Sequence, residues 1–301
     1  MLLLSFDLED YNQLVERRLG IESWDEPGHA LERQMTAIFE LLDELGVRAT
    51  FFMLGMTIRR YPDVAREIAS RGDEIACHGS DHEFVYLQSP DNFRRDVESS
   101  QELIEKLTGR RPIGYRAPAF SINRDTVWAL ETLAELGFAY DSSHYGSRKI
   151  PERLEPQDGP YTMRLPSGRE LVEFPLTVWR RGPVQVPIGG GSYWRLLPAA
   201  LLRRGLGSIE QRTGHPALYF HPYECDPQRL RLRLPPSPPA GLRLRSAYMS
   251  LISNPGRRRL ARRLRKIAKD YELGTFEQAL SHIRADGGAR PRALSERGVL
   301  I

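Results

Sequence analysis

The sequence predicts an α/β protein: a largely parallel sheet with helices packed on the outside. Two observations carry this. Short apolar or β-rich runs alternate with amphipathic stretches through the first two thirds of the chain. A glycine also follows one helical stretch after another, at Gly46, Gly72, Gly109 and Gly137, where a left-handed C-cap would end a helix. Strands joined by helical crossovers run parallel.

Residues 2–6 read as a buried strand. Residues 29–45 place Leu31, Met35, Ile38, Leu41, Leu42 and Leu45 at helical spacing, and residues 48–54 (RATFFML) are β-rich. A helix over 61–71 and a short strand over 74–77 follow. The pattern then repeats as a helix over 91–107, a strand over 113–116, a helix over 124–136 and a strand over 138–141. Residues 146–195 are rich in Pro and Gly and read as an insertion carrying a strand at 171–178. A helix at about 196–212 and a buried strand at 217–220 complete the alternation. Pro235-Pro236-Ser237-Pro238-Pro239 reads as a stiff extended connector within the domain. One domain over 1–280 fits this succession, with a basic helical segment at about 241–270 and a C-terminal tail at 281–301.

The chain has 301 residues, 41% hydrophobic and 27% charged, a balance that excludes disordered, collagen-like and disulfide-scaffold classes. No run approaches the ~18 apolar residues of a membrane span. The first apolar run lacks a basic flank and meets Asp7, so it reads as a strand and not as a signal peptide. Cys77 and Cys225 then read as free thiols of a cytoplasmic protein, one that acts in the cytoplasm or at the inner face of the membrane. The net charge of +4 is uneven: residues 231–270 hold twelve Lys/Arg against one acid, Asp270. A solvated helix face is one reading of that segment. Contact of 257–269 with an anionic membrane surface is another. No nucleic-acid motif accompanies the charge, so no nucleic-acid partner is expected.

Four polar clusters fall at predicted strand ends, where parallel α/β sheets place their sites. Asp7-Leu8-Glu9-Asp10 closes the first strand, and its carboxylates need either a cation or a turn and helix N-cap. His78 and His82 in His78-Gly79-Ser80-Asp81-His82 stand at i and i+4, a spacing expected to put both imidazoles on one face of a helical turn, within reach of one divalent ion. Two histidines and one carboxylate would leave coordination positions open, as in a catalytic site. Arg116, in the run 114–120, can pair with a carboxylate and hold it ionised. His221 ends the aromatic run before Pro222.

With these residues in view, the chain resembles the polysaccharide deacetylases of the NodB-homology class (carbohydrate esterase family 4). Within them it is similar to the group found beside exosortase-linked exopolysaccharide loci. The matching motifs are SFDLED at 5–10, HGSDH at 78–82, YRAPAF at 115–120, YDSS at 140–143 and YFHPYE at 219–224. PIGGGSYWRLLP (187–198) and YELGTFEQAL (271–280) match the narrower group.

The resemblance implies a distorted (β/α) barrel of about seven strands and a divalent metal, zinc. It implies that an N-acetyl group is hydrolysed from an amino sugar of a poly- or oligosaccharide, releasing acetate. Asp7 would be the base, Arg116 its orienting partner, and His221 the acid that protonates the departing amine. Asp141 would hold that histidine protonated. Ala119 would offer a backbone N–H to the oxyanion, and Tyr219 would line the pocket for the acetyl methyl group. His78 and His82 would bind metal with a carboxylate of the first motif. The usual family motif has adjacent aspartates, whereas this chain reads Asp-Leu-Glu-Asp, so both Glu9 and Asp10 stand as candidates. Competing readings are a metal-independent allantoinase-like hydrolase of cyclic amides on the same fold, and a carbohydrate-binding pseudoenzyme that keeps the cleft alone.

Overall fold

The computed structural model describes the chain except residues 27, 29, 146–153, 155–157, 183, 290 and 296–301. Its strands are β1 (Leu2–Leu8), β2 (Thr50–Met53), β3 (Glu74–Cys77), β4 (Gly114–Tyr115), β5 (Tyr140–Asp141), β6 (Tyr161–Arg164), β7 (Glu170–Glu173), β8 (Trp179–Arg181), β9 (Val184–Val186), β10 (Ala217–Phe220), β11 (Leu273–Gly274) and β12 (Pro291–Ala293). The main sheet runs β10-β1-β2-β3-β4-β5-β7-β6-β12, with β11 added on β1. Every pairing in it is parallel except β6 with β7. The protein is thus mixed α/β with a mainly parallel sheet. Single bridges, Leu176 to Ala217 and Gly190 to Tyr219, lie alongside β10.

Alternation along β1 decides what each face carries. All seven of its residues are buried. Leu2, Leu4, Phe6 and Leu8 point into the larger core with Leu31, Ile38 and Phe51. Leu3, Ser5 and Asp7 share the other face. That face holds a second, aromatic cluster in which Phe52, Tyr140, Phe174 and Phe276 pack edge-on or stacked. Two polar residues on a buried strand are tolerated there because Arg116 bonds to both.

Several elements differ from the sequence reading. The helix read from residue 29 is described over Ala30–Leu45, and residue 29 lies outside the described residues. The strand expected at 171–178 ends at Glu173, close to Pro175, which has no N–H to donate. The early part of the expected insertion lies outside the described residues. Its later part forms the β8–β9 hairpin and the helix Gly191–Leu196. Of the tail expected at 281–301, residues 281–285 complete the helix Phe276–Ala285, and β12 pairs with β6. Cys77 and Cys225 are free and buried, as expected.

One glycine shows how tightly the interior face is filled. A Cβ on Gly114 would lie 1.9 Å from Tyr140 Cζ. Tyr140 cannot swing aside, because its hydroxyl donates to the buried Glu74 carboxyl at 2.6 Å. Gly114→Ala is expected to cost about 3 kcal/mol of stability or more by overpacking. Urea denaturation checks this; an unchanged midpoint would show that the ring relocates freely.

Candidate active site

The carboxyl ends of β1, β3, β4 and β10 meet at one cleft of about 400 Å³, whose lining includes Asp7, Glu9, His82, Ala119, Tyr219 and His221. Glu9 Oε1 lies 3.1 Å from His78 Nε2 and 3.1 Å from His82 Nε2. Asp7, Glu9 and His221 form a second, overlapping cluster, with their ligand atoms within 4.8 Å of one another.

The two histidines do not sit on a helical turn, contrary to the sequence expectation. Residues 78–82 are irregular, and Gly79 (φ 75°) and His82 (φ 56°) take left-handed backbone conformations that fold the imidazoles toward each other. Asp96, on helix Pro90–Thr108, holds this loop by accepting from Ser80 N–H at 2.9 Å and Asp81 N–H at 3.2 Å. The N–H groups of Gly55 and Met56 donate to the carbonyls of Gly79 and Ser80. A Cβ on residue 79 would lie 2.8 Å from Asp96 Oδ2, so this close approach also needs glycine.

The donor set fits a divalent cation. His78 Nδ1 is 2.8 Å from the Arg116 carbonyl, which can only accept, so Nδ1 carries the proton. In the neutral ring the Nε2 lone pair then faces a carboxylate oxygen, and two acceptors at this distance need positive charge between them. Two imidazoles and a carboxylate suit zinc. Burial alone would raise the Glu9 carboxyl; when no cation is bound and the rings are protonated instead, the charges of His82 and His221 and the hydrogen bonds from His78 and His82 hold it well below the usual range.

Asp10 stands apart. Its Oδ1 accepts from Asn12 N–H as the N-cap of helix Tyr11–Leu19, and its Oδ2 accepts from the Tyr61 hydroxyl at 3.0 Å. The helix-cap reading of this motif therefore falls on Asp10, and the converging carboxylate is Glu9.

Asp7 Oδ1 receives Arg116 Nη1 at 2.6 Å, with both side chains buried. The guanidinium also donates to Ser5 Oγ, Ser142 Oγ and the Ser142 carbonyl, and it lies 3.8 Å from the Phe52 ring centroid. Its orientation is fixed on every side. Ala119 adopts φ 52° and Phe120 φ 56° in the turn after β4, and Phe120 packs on Tyr219 at 4.9 Å between centroids.

Asp141 does not contact His221. It accepts from the Ser143 hydroxyl at 2.6 Å, and that hydroxyl receives Ala117 N–H at 2.8 Å, so its bonds support the turn that carries Ala119. The carboxylate beside His221 is Glu224, with Oε2 3.4 Å from Nδ1 and 3.1 Å from the His221 N–H. Glu224 is paired with the buried Arg195 (Nε–Oε1 3.0 Å). A Cβ on Gly191 would come within 2.0 Å of Glu224 Oε2, which gives the glycine patch a physical purpose. Burial would lower the His221 pKa, but Glu9, Glu224 and Asp7 raise it to about 9. Glu224, Arg195 and Asp96 carry no role in the sequence reading. Glu224 at i+3 from His221, with Pro222 between them, was a readable capping-box signal.

Asp141 and Glu173 form a buried carboxyl pair. Burial raises both, and the Asp141 charge and hydrogen bond raise Glu173 further, well above the ordinary range. A carboxyl raised by folding holds its proton in the native state after the unfolded chain has lost it. Stability should therefore fall as pH rises above the ordinary carboxyl range. Glu173→Gln should flatten that fall in denaturation midpoints measured between pH 5 and 8, whereas parallel curves for both proteins would refute the pairing. For the cation, calorimetric titration with zinc should show Glu9→Gln weakening affinity about a hundredfold or more while Asp10→Asn stays near wild type. The reverse order would move the ligand to Asp10.

Comparison with known proteins accords with this geometry. Residues 24–140 match the polysaccharide deacetylase family model, and residues 138–281 match a domain of unknown function, DUF3473. A peptidoglycan deacetylase-like protein of Gibberella zeae is 35% identical over 111 residues, covering 36% of this chain and 32% of that protein. A Bacillus cereus peptidoglycan-N-acetylglucosamine deacetylase is 30% identical over 95 residues, covering 31% and 34%. These matches span about a third of the relatives' own length. In three dimensions, a Mycobacterium smegmatis protein described as a polysaccharide deacetylase shares the fold, with TM-score 0.65 and 23% identity over 96% of this chain and 91% of that one. An allantoinase does as well, with TM-score 0.62 and 16% identity over 94% and 90%. By these comparisons the chain is similar to the polysaccharide deacetylase family over residues 24–140 and to the DUF3473 domain over residues 138–281, on a fold shared with the solved structures.

Proposed function

We propose that this chain is a metal-dependent hydrolase that removes an N-acetyl group from an amino sugar of a poly- or oligosaccharide, an exopolysaccharide or lipid-linked glycan, releasing acetate. The observation that carries the reading is the meeting of Glu9 Oε1 with both histidine Nε2 atoms at 3.1 Å, with Asp7 and His221 on the same cleft. The fold belongs to the proposal: β1, β2, β3, β4, β5, β7 and β10 form a distorted barrel, a reading supported by the bridges from Leu176 and Gly190 to β10.

Glu9, His78 and His82 would hold the ion, zinc in this reading. When bound, such an ion supplies Lewis acidity toward an amide carbonyl and a water. Asp7, oriented by Arg116, takes the proton of the attacking water as the new C–O bond forms. Ala119 N–H is offered to the oxyanion, and Tyr219 lines the space for the acetyl methyl group. His221, oriented by Glu224, gives its proton to the nitrogen as the C–N bond breaks, because an amine leaves poorly unprotonated. The paired ring nitrogens facing one carboxylate favour this over a metal-independent amide hydrolase, and the ionisable groups on the cleft favour it over a silent binding protein.

Mass spectrometry of an N-acetylglucosamine oligomer incubated with zinc-loaded protein should show the loss of one acetyl unit with matching acetate. Asp7→Asn and His221→Ala should each slow turnover by about 10²–10⁴-fold, the usual size of a general base or acid contribution. Turnover unchanged in both variants, or in chelator-treated protein, would defeat the assignment.

A further inference from the structure

Helix Ala240–Ser253 follows the proline-rich connector and buries one residue, Ser253. Its apolar side chains stand outside the protein: Leu244 is 73% exposed, Tyr248 59%, Leu251 71% and Ile252 46%. Their spacing puts them on one face of the helix. A solvated helix would place polar residues there.

The same helix has two exposed cations, Arg243 and Arg245, and no acid. No Asp or Glu occurs anywhere between Asp226 and Asp270. The following helix, Arg258–Ile267, is a different kind of element. It packs Leu260, Leu264 and Ile267 into the core and uses Arg265 on Glu44 and Arg263 on the Trp194 carbonyl. Its Arg258, Arg259 and Arg262 remain exposed and add to the positive surface.

We propose that helix Ala240–Ser253 docks this protein on an anionic phospholipid surface, with its apolar face in the headgroup–acyl boundary and its arginines on the phosphates. Exposed apolar residues flanked by cations, without acids, are what such a surface complements. A second copy fits worse, since a two-fold contact would set the same unbalanced arginines against each other. At 14 residues the helix is about 21 Å long, enough to lie in the interface and too short to cross a ~30 Å core.

Docking there would bring the cleft to the lipid surface. Met249, Ile252 and Ser253 line the cleft. Ser253 is tied to it, through the Tyr11 hydroxyl at 3.0 Å and Arg195 Nη1 on its carbonyl at 2.6 Å. Leu87, 71% exposed, borders an adjoining hollow that shares Leu14, Arg18 and His82 with the cleft.

The test is co-sedimentation of the full chain with vesicles of phosphatidylcholine alone or mixed with phosphatidylglycerol, at low and high salt. Wild type should bind the anionic vesicles at least tenfold more tightly than the neutral ones and release with salt. Leu244→Glu with Leu251→Glu, and separately Arg243→Gln with Arg245→Gln, should each weaken binding at least tenfold with an unchanged melting temperature. Both variants should keep zinc affinity and turnover of a soluble oligomer, so this inference and the deacetylase reading fail separately. Equal partition onto both vesicle types, or sedimentation showing a dimer that the leucine variant dissociates, would overturn the proposal.

Discussion

The site rests on an electrostatic conflict. A carboxylate oxygen and two imidazole nitrogens, from segments about seventy residues apart, face one another at 3.1 Å. At His78 the conflict is explicit, because the Arg116 carbonyl fixes the ring proton on the other nitrogen. Such a cluster is stable only with a cation inside it, whether a metal ion or additional protons on the rings. The surrounding order exists to hold these atoms still: a loop bent by two left-handed residues, Asp96 capping it, and a guanidinium bonded on all sides.

The fold provides this through strict alternation on β1. One face feeds aliphatic residues to the outer helices, and the other carries Ser5 and Asp7 into the aromatic interior. Arg116 bridges them, so the charge that orients the proposed base also satisfies the polar side of the strand. A similar economy holds at β10, where Glu224 serves as helix cap, ion partner of Arg195 and neighbour of His221. Gly191 leaves the room that its carboxylate needs. These buried pairs make the cleft rigid and sensitive to single changes.

Much of the sheet was legible from sequence because parallel strands are short apolar runs bounded by glycine. β3 and β10 match their expected limits, and β1 runs two residues further than its pattern suggested, through Asp7 and Leu8. The β8–β9 hairpin and the helix at Gly55–Arg60 gave too little periodic contrast to be read, whereas the helical reading of about 241–270 matches the helices Ala240–Ser253 and Arg258–Ile267. The motifs singled out Asp7, Arg116, His78, His82 and His221, and the fold brings these side chains to one end of the sheet. They could not decide between Glu9 and Asp10, because the choice depends on which carboxylate the turn after β1 uses as a helix cap. The expected helical turn at 78–82 failed for a related reason: i and i+4 spacing brings two rings together in a bent loop as well as in a helix. Asp141 was paired with His221 by motif order, but its bonds run to Ser143 and the Ala117 turn.

The central claim is that one divalent ion sits between Glu9, His78 and His82. X-ray absorption at the zinc edge of the zinc-loaded protein reads its ligands directly. The account predicts scattering from two imidazoles and a shell of oxygens that loses one imidazole in His82→Ala. A spectrum without imidazole scattering, or one unchanged by that substitution, would contradict it.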